Sequence, residues 1–512
     1  MTRHSLPLLL LLCAGHRLLA QDGGAARAAA TITPADIARR VGVIADDSMR
    51  GRETPSPELD LVAAHIGAEF RRWGLAPGGD DGGFVQRYEI QRSRLDTTVS
   101  RLEVPGGPTL RFGADVIRWR GTTTAGAATG RTLLLTGLAA DPRAAETLDV
   151  ADQVVLVIPR TDGAGQPTRE ADRFLRSLAE RGPKAIVVVV DAPDETWREL
   201  GRGQLAETVG IPWRRAEGTA TVLVRQAALA PTLEKAGVAP AAARAESGPV
   251  RVRPVPGLRF RVMLAPEVLH TDRAPNVVGI LRGSDPRLRD EYVVFSAHMD
   301  HVGTAGRGRC RAQGTDSICN GADDDASGTV SVMELAEAFA QLTPRPRRSL
   351  VFLTVSGEER GLWGSDYFAG HPPVPVERLV ADLNLDMVGR NWKDTISAIG
   401  KEHSDLGATL ARVNAAHPEL HMTAVDDRWP AENFYVRSDH YNFARRGVPI
   451  LFFFNGTHED YHRPTDHPDK IDAEKQARLT QLVFYLGLEV ANAAERPRWN
   501  PESYRQIVTE GR

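Results

Sequence analysis

Between Pro34 and Trp73 apolar residues return every three or four positions: Ile37, Val41 and Ile44 share one helical face, and Leu61, Ala64, Ile66, Phe70 and Trp73 follow at similar spacing. The Gly/Ala-rich residues 21–30 before them carry no such pattern and read as a flexible start. A turn-rich stretch, Gly74 to Gly83, closes the helical pattern. Short alternating segments at 84–90, 98–104 and 109–117, each flanked by Gly or Pro, then read as strands.

From Gly121 to Pro254 the texture changes. Apolar bursts at 133–135, 154–158 and 185–190 alternate with polar turns and one helix over 169–181, and no cluster of His, Asp and Glu appears. This predicts an inserted, mostly β domain without chemistry of its own. A nucleotide-binding βαβ unit would need a Gly-rich phosphate loop between strand and helix, and the stretch has none.

Past Arg259 the pattern alternates regularly. Strands are predicted at 259–264, 276–281, 292–298, 350–356, 379–388 and 448–454, and helices at 328–341, 404–416, 439–446 and 474–493. The plan is α/β: an open mixed sheet with helices on both faces.

Length and charge narrow the picture. A chain of 512 residues exceeds one simple core, so two domains and a leader are expected. With 63 basic against 66 acidic residues there is no basic excess to neutralise phosphates, which argues against a nucleic-acid partner. The start, Met1-Thr2-Arg3-His4, an apolar run from Leu8 to Cys13 and small residues near Ala20, has the layout of a signal peptide over 1–20, so the protein is expected to be exported to the periplasm or beyond. No later run approaches a membrane span. Outside the leader only Cys310 and Cys319 remain, and in an exported protein they are expected to form a disulfide.

The candidate chemistry lies at strand ends. His298 closes one apolar run, Glu358-Glu359 follow another, Asp386 ends a third and His462 lies just past a fourth, while Asp323-Asp324-Asp325 sit between small residues in a Gly-rich loop. Ligands of open α/β sheets bind at the carboxyl ends of strands. Carboxylates crowded beside histidine need a cation to offset repulsion and desolvation. His298, Asp324, Glu359, Asp386 and His462 make a mixed N/O donor set suited to zinc. If Asp324 bridges two ions about 3.5–4 Å apart, each keeps one histidine and one further carboxylate. Asp300, two residues past His298, is expected to accept that imidazole's N–H. His458-Glu459-Asp460-Tyr461-His462 also fits H-E-x-x-H, but Asn455-Gly456 before it and Pro464 and Pro468 after it oppose the helix that motif requires. No Gly-x-Ser-x-Gly turn supports a serine hydrolase.

The motifs Ala297-His298-Met299-Asp300, Gly321 to Gly328, Gly357-Glu358-Glu359-Arg360-Gly361, Asn384-Leu385-Asp386-Met387 and Tyr461-His462-Arg463-Pro464-Thr465-Asp466 resemble those of the M28 family of co-catalytic zinc peptidases, over Pro275 to about Ala493. Asp47-Ser48-Met49-Arg50-Gly51-Arg52 resembles bacterial members, and the insertion resembles their protease-associated domain. The resemblance implies two zinc ions on the five donors with Asp324 bridging, Glu358 as general base and Tyr461 as hydrogen-bond donor to the developing oxyanion. It also implies peptidase segments over 31–120 and 255–495 around the 121–254 insertion, and a peptide or protein substrate. Aminopeptidase is the expected activity. Carboxypeptidase and dipeptidase share the ligands, glutaminyl cyclases share the fold, and an interaction protein holding its metals structurally is the non-enzymatic alternative. Trp429, Phe434, Tyr435 and Arg437 are candidates to line the pocket; the sequence carries no sign of oligomeric state.

Overall fold

Along the strand Tyr292–His298 every residue is buried, and alternate side chains serve different cores: Val293, Phe295 and Ala297 join one, Tyr292 and Val294 the other. Alternation of this kind requires cover on both faces of a sheet. The computed structural model describes residues 23–510 except 122–126, 138–141, 146, 205, 214–218 and 247. The expected leader lies outside the described residues. Among them no helix is long and apolar enough to cross a membrane.

The chain divides into two compact units, one of residues up to Tyr88 together with Arg273–Arg512, the other Glu89–Asp272. In the first, strands run in the order Val85–Leu95, Pro266–Leu281, Ser349–Val355, Tyr292–His298, Leu379–Leu385, Ile450–Phe454, Thr395–Ile399 and Thr423–Val425. The four in the middle are mutually parallel, and the strands flanking them are antiparallel. Helices Pro34–Ile44, Pro57–Arg72, Gly328–Gln341 and Ala473–Asn492 contribute to the core with Phe295 and Phe352, while Trp363–Gly370 and His440–Ala444 place Phe368 and Phe443 in the other. The first two helices start where the sequence supplies caps: Thr33 Oγ1 accepts from Asp36 N and Ser56 Oγ from Leu59 N, each followed by proline at the first turn. Gly487 lets the last long helix reach the sheet, since a Cβ there would stand 2.3 Å from Phe295 Cζ.

Three expectations change here. Residues 23–29 are helical, and Ala25, Ala28 and Ala29, spaced to share one face, are buried in the core; alanine's high helix propensity outweighs the low complexity of the stretch. In Pro57–Arg72 the buried stripe is Leu59, Val62, Ala63, Ile66 and Phe70, and Leu61 is 58% exposed. The helix Trp363–Gly370 and the strand Thr395–Ile399 were not foreseen, because Gly364 and the polar residues around 391–395 mask their patterns.

The second unit is wider than 121–254. Arg101–Glu103 and Arg261–Met263 pair in a four-stranded antiparallel sheet with Thr109–Leu110 and Ala128–Thr129, so segments from both flanks close one core. It is also less β than expected. Thr132–Thr136, Val154–Val157, Ala185–Val190 and Ala220–Arg225 lie parallel. Parallel neighbours need crossover connections, and helices Arg169–Glu180 and Asp194–Gln204 lie in two of them.

Candidate metal centre

Register brings the donors together. His298 pairs with Val355, and Leu385 with Phe453, so the residues just beyond those positions emerge side by side at one edge. The loop after Val355 carries Glu358 and Glu359, and Asp386 N donates to Phe453 O at 3.1 Å. His462 follows in a turn past Phe454.

The three aspartates between Gly321 and Gly328 do different work, and all are buried. Asp323 Oδ1 accepts from Gly389 N at 2.7 Å and its Oδ2 faces His458 Nε2 at 3.1 Å. Asp325 accepts from His298 N, Gly328 N and Met387 N, tying two strand ends and the start of the helix Gly328–Gln341 to one carboxylate. Asp324, joined to Asp325 by a cis peptide bond, points into the cleft. The amides of Asp323 and Asp324 donate to Asp466, so the last sequence motif holds the first.

Two donor groups share Asp324. His298 Nε2 lies 3.4 Å from Asp324 Oδ1 and 3.6 Å from Asp386 Oδ1. On the other side His462 Nε2 lies 3.1 Å from Asp324 Oδ2 and 3.2 Å from Glu359 Oε1. His301, absent from the expected set, puts Nδ1 3.0 Å from Glu359 Oε1 and 3.6 Å from Asp324 Oδ2. Asp324 Oδ2, Glu359 Oε1 and both ring nitrogens of His301 are buried without a partner at hydrogen-bond geometry. Orphaned polar groups cost about 1–3 kcal/mol each. Converging carboxylates and imidazoles are the donor chemistry that fits zinc. All five expected ligands are therefore brought together.

Neighbours hold these donors in place. Ser438 Oγ donates to Asp386 Oδ2 at 2.7 Å, and Arg309 Nη2 to Glu359 Oε2 at 3.0 Å, leaving the other oxygen of each carboxylate toward the imidazoles. Arg309 precedes Cys310, whose disulfide to Cys319 closes that loop. Arg52 is fully buried and donates to Met299 O, Asn320 O and Gly321 O.

Charge in the cluster is strongly perturbed. Burial pushes the Glu358 carboxyl well above its usual range, and Glu359, Asp439 and Asp386 add repulsion that His298 partly offsets. Burial opposes the charged form of His298, yet Asp386 and Glu358 raise its pKa well above the usual value. His462 behaves alike: burial lowers it, but Asp324 and Glu359 raise it to about 10. By itself the donor set balances charge with imidazole protons, and a divalent cation would take their place.

The expected role of Asp300 is corrected. Its carboxylate lies 3.7 Å from His298 Nδ1, beyond hydrogen-bond reach, and the proton goes to Asp300's backbone oxygen at 3.1 Å. The carboxylate instead accepts from Thr54 Oγ1 at 2.8 Å and Glu358 N at 3.3 Å, fixing the loop that carries Glu358. None of residues 458–462 is helical, and His458 turns to Asp323, so H-E-x-x-H is a coincidence of letters. Glu358 and Tyr461 border a cleft that His298, Asp324 and Asp386 also line. Of the four pocket candidates Phe434 and Arg437 line it. Trp429 packs on Phe434 and Phe454, and Tyr435 on His403 and His440. The missed residues had weak signals: a second histidine three positions after His298, and an arginine in a motif lacking acid–base residues of evident use.

The profile of Peptidase family M28 matches residues 276–487. A probable zinc metalloprotease of Leptosphaeria maculans is 29% identical over 265 residues, 44% of this chain and 59% of that protein. A probable leucine aminopeptidase of Arthroderma otae is 26% identical over 237 residues, 45% of this chain and 61% of that one. The chain thus spans little more than half the length of these relatives. Among solved structures, an aminopeptidase from Aneurinibacillus sp. strain AM-1 is 19% identical, with a TM-score of 0.48 over 91% of this chain and 96% of that one. Residues 276–487 are a Peptidase family M28 domain.

Proposed function

We propose that this chain is an exported aminopeptidase that holds two zinc ions and removes N-terminal residues from peptides. The observation that carries this reading is the division of Asp324, which turns Oδ1 to His298 and Oδ2 to His462. His298, Asp324 and Asp386 would hold one ion; Asp324, Glu359 and His462 the other. Bound there, zinc supplies Lewis acidity toward the scissile carbonyl and acidifies water.

The chain's own residues do the rest. Glu358, with its pKa raised by burial and flanking carboxylates, is suited to take a proton from water and return it to the leaving amine. Tyr461 keeps its hydroxyl protonated, since burial and nearby carboxylates raise its pKa, and can donate to a developing oxyanion. Met387, Phe434, Phe452 and Phe454 give the cleft an apolar side for an aliphatic side chain. Acidic groups at the cleft attract a substrate ammonium. The names of the relatives, a zinc metalloprotease and a leucine aminopeptidase, agree with this reading. The leader-like N-terminus and the disulfide support export. One feature favours a second reading: Arg437 lines the cleft and its nearest carboxylate is Glu432 at 3.6 Å, so a dipeptide carboxylate could be its partner.

The test is a panel of leucyl-, lysyl- and glutamyl-nitroanilides, dipeptides and an N-acetylated peptide, with and without chelator. Leucyl substrate should be cleaved, the acetylated peptide spared, and activity lost to chelator and restored by zinc. Glu358→Gln should lower turnover by about two to four orders of magnitude with zinc content unchanged. Release of C-terminal residues from the acetylated peptide, or a fully active Glu358→Gln, would overturn the proposal.

A further inference from the structure

We infer that His301 is a protein ligand of the ion between Asp324, Glu359 and His462, so that the two metal positions differ: one enclosed by four protein donors, the other held by three. The inference rests on the two-zinc reading above and adds to it.

Position comes first. His301 lies three residues past His298, where the chain has left the strand, and its side chain is 0% exposed. It rests on Gly321, where a Cβ would stand 2.5 Å from His301 Cγ and the backbone has a φ of 59°. The loop that delivers Asp324 thus begins with the one residue type that leaves room for this imidazole.

The donor geometry comes next. Nδ1 of His301 and Nε2 of His462 approach the same two oxygens, Asp324 Oδ2 and Glu359 Oε1, at 3.0 to 3.6 Å, and the rings meet edge to face. Zinc bonds of about 2.0–2.2 Å in a tetrahedron put neighbouring donors about 3.4 Å apart. The observed spacings are therefore those of ligands around a common centre.

Partnering separates this histidine from a buried packing residue. His440, equally buried, gives its ring to Tyr435 O at 2.7 Å, and His298 gives Nδ1 to Asp300 O. Neither nitrogen of His301 has such a partner, although both are buried. Glu359 Oε1 lies 3.0 Å from Nδ1, yet both atoms are without a hydrogen-bond partner, as is expected of two ligands that face an ion. The opposite position has three donors, His298 Nε2, Asp324 Oδ1 and Asp386 Oδ1. Four protein ligands characterise closed zinc sites, and three leave a position for water or substrate. The ion beside His301 is the tightly held one, and the ion beside Asp386 the exchangeable one.

The test uses the full chain. Metal-free protein is titrated with zinc against a chromophoric chelator, and with cobalt(II) followed by visible absorption, for wild type, His301→Ala and His301→Gln. Wild type should bind two equivalents with affinities at least tenfold apart. Both variants should weaken the tighter equivalent by about tenfold or more, leave the weaker one in place, and change the cobalt bands of the first equivalent. X-ray absorption of the wild-type zinc protein, which no folding defect can confuse, should count three imidazoles over the two ions. Two imidazoles, or variants with unchanged affinity and cobalt bands, overturn the assignment. A wild-type stoichiometry of one overturns the two-ion reading instead, and the variants' effect on that single ion still decides the role of His301.

Discussion

Replacing Arg52 probes how the acidic loop is held. Its buried guanidinium donates from Nε to Met299 O at 2.8 Å, from Nη2 to Gly321 O at 2.6 Å and from Nη1 to Asn320 O. Arg52→Met keeps much of the volume and leaves the buried Met299 O and Asn320 O without their donor, each costing about 1–3 kcal/mol, while Gly321 O keeps the amide of Ala326 at 3.2 Å. Against that, the variant no longer buries a cation, whose desolvation costs several kcal/mol, so the net loss should be near that of removing one partner of a buried pair, about 3–5 kcal/mol. Arg52→Lys retains the charge but not the planar fork, and a compact ammonium cannot serve all three carbonyls, so it should lose roughly half as much. Urea unfolding at saturating zinc gives the stabilities, and chelator competition gives the zinc affinities. Losing the cation makes the field at the donors more negative, so an undisturbed loop would bind zinc more tightly in Arg52→Met. Weaker binding, by about tenfold or more as when a group that orients a metal ligand is lost, therefore reports displacement of Asp324. Equal stability and affinity in Arg52→Met and wild type would refute the reasoning.

Two further outcomes follow from buried and cross-linked groups. Lys475 is buried and donates to Val388 O and Arg390 O, and burial depresses its pKa to about 8. Between that value and its unfolded value near 10.5 the unfolded chain binds the extra proton, so stability should rise with pH by up to about 3 kcal/mol, and the gain is lost as pH falls through 8. Urea unfolding from pH 7 to 10 should show this rise in wild type and a flatter profile in Lys475→Met; equal slopes would contradict it. Reduction of Cys310–Cys319, nine residues apart, should cost about 2–3 kcal/mol by loop entropy and free Arg309 from Glu359. Unfolding with and without reductant, followed by zinc titration, measures both effects, and unchanged stability would count against that role.

What the sequence determined by itself is what local pattern controls. The strand Tyr292–His298 and the helix Gly328–Gln341 end where periodicity said they would, because unbroken apolar runs and flanking glycines mark them. Four of the five expected donors were legible because each closes or follows such a run, Asp324 because three aspartates crowd a Gly-rich loop, and Glu358 and Tyr461 because they adjoin a donor. Tertiary structure decided the partners. Nothing local distinguishes Asp323, Asp324 and Asp325, three identical side chains in a row; their tasks differ because Gly389, His458 and Met387 arrive from elsewhere in the chain. Asp300 gave up its expected contact because Thr54, 246 positions away, claims the carboxylate. His301 and Arg52 stayed hidden for the same reason. An imidazole becomes a candidate ligand only when register carries Glu359 to it, and an arginine supports a metal loop only when folding buries it among that loop's carbonyls. The second unit widened to Glu89–Asp272 because pairing between residues more than 150 positions apart leaves no mark in either segment alone, and only closure of the chain creates it.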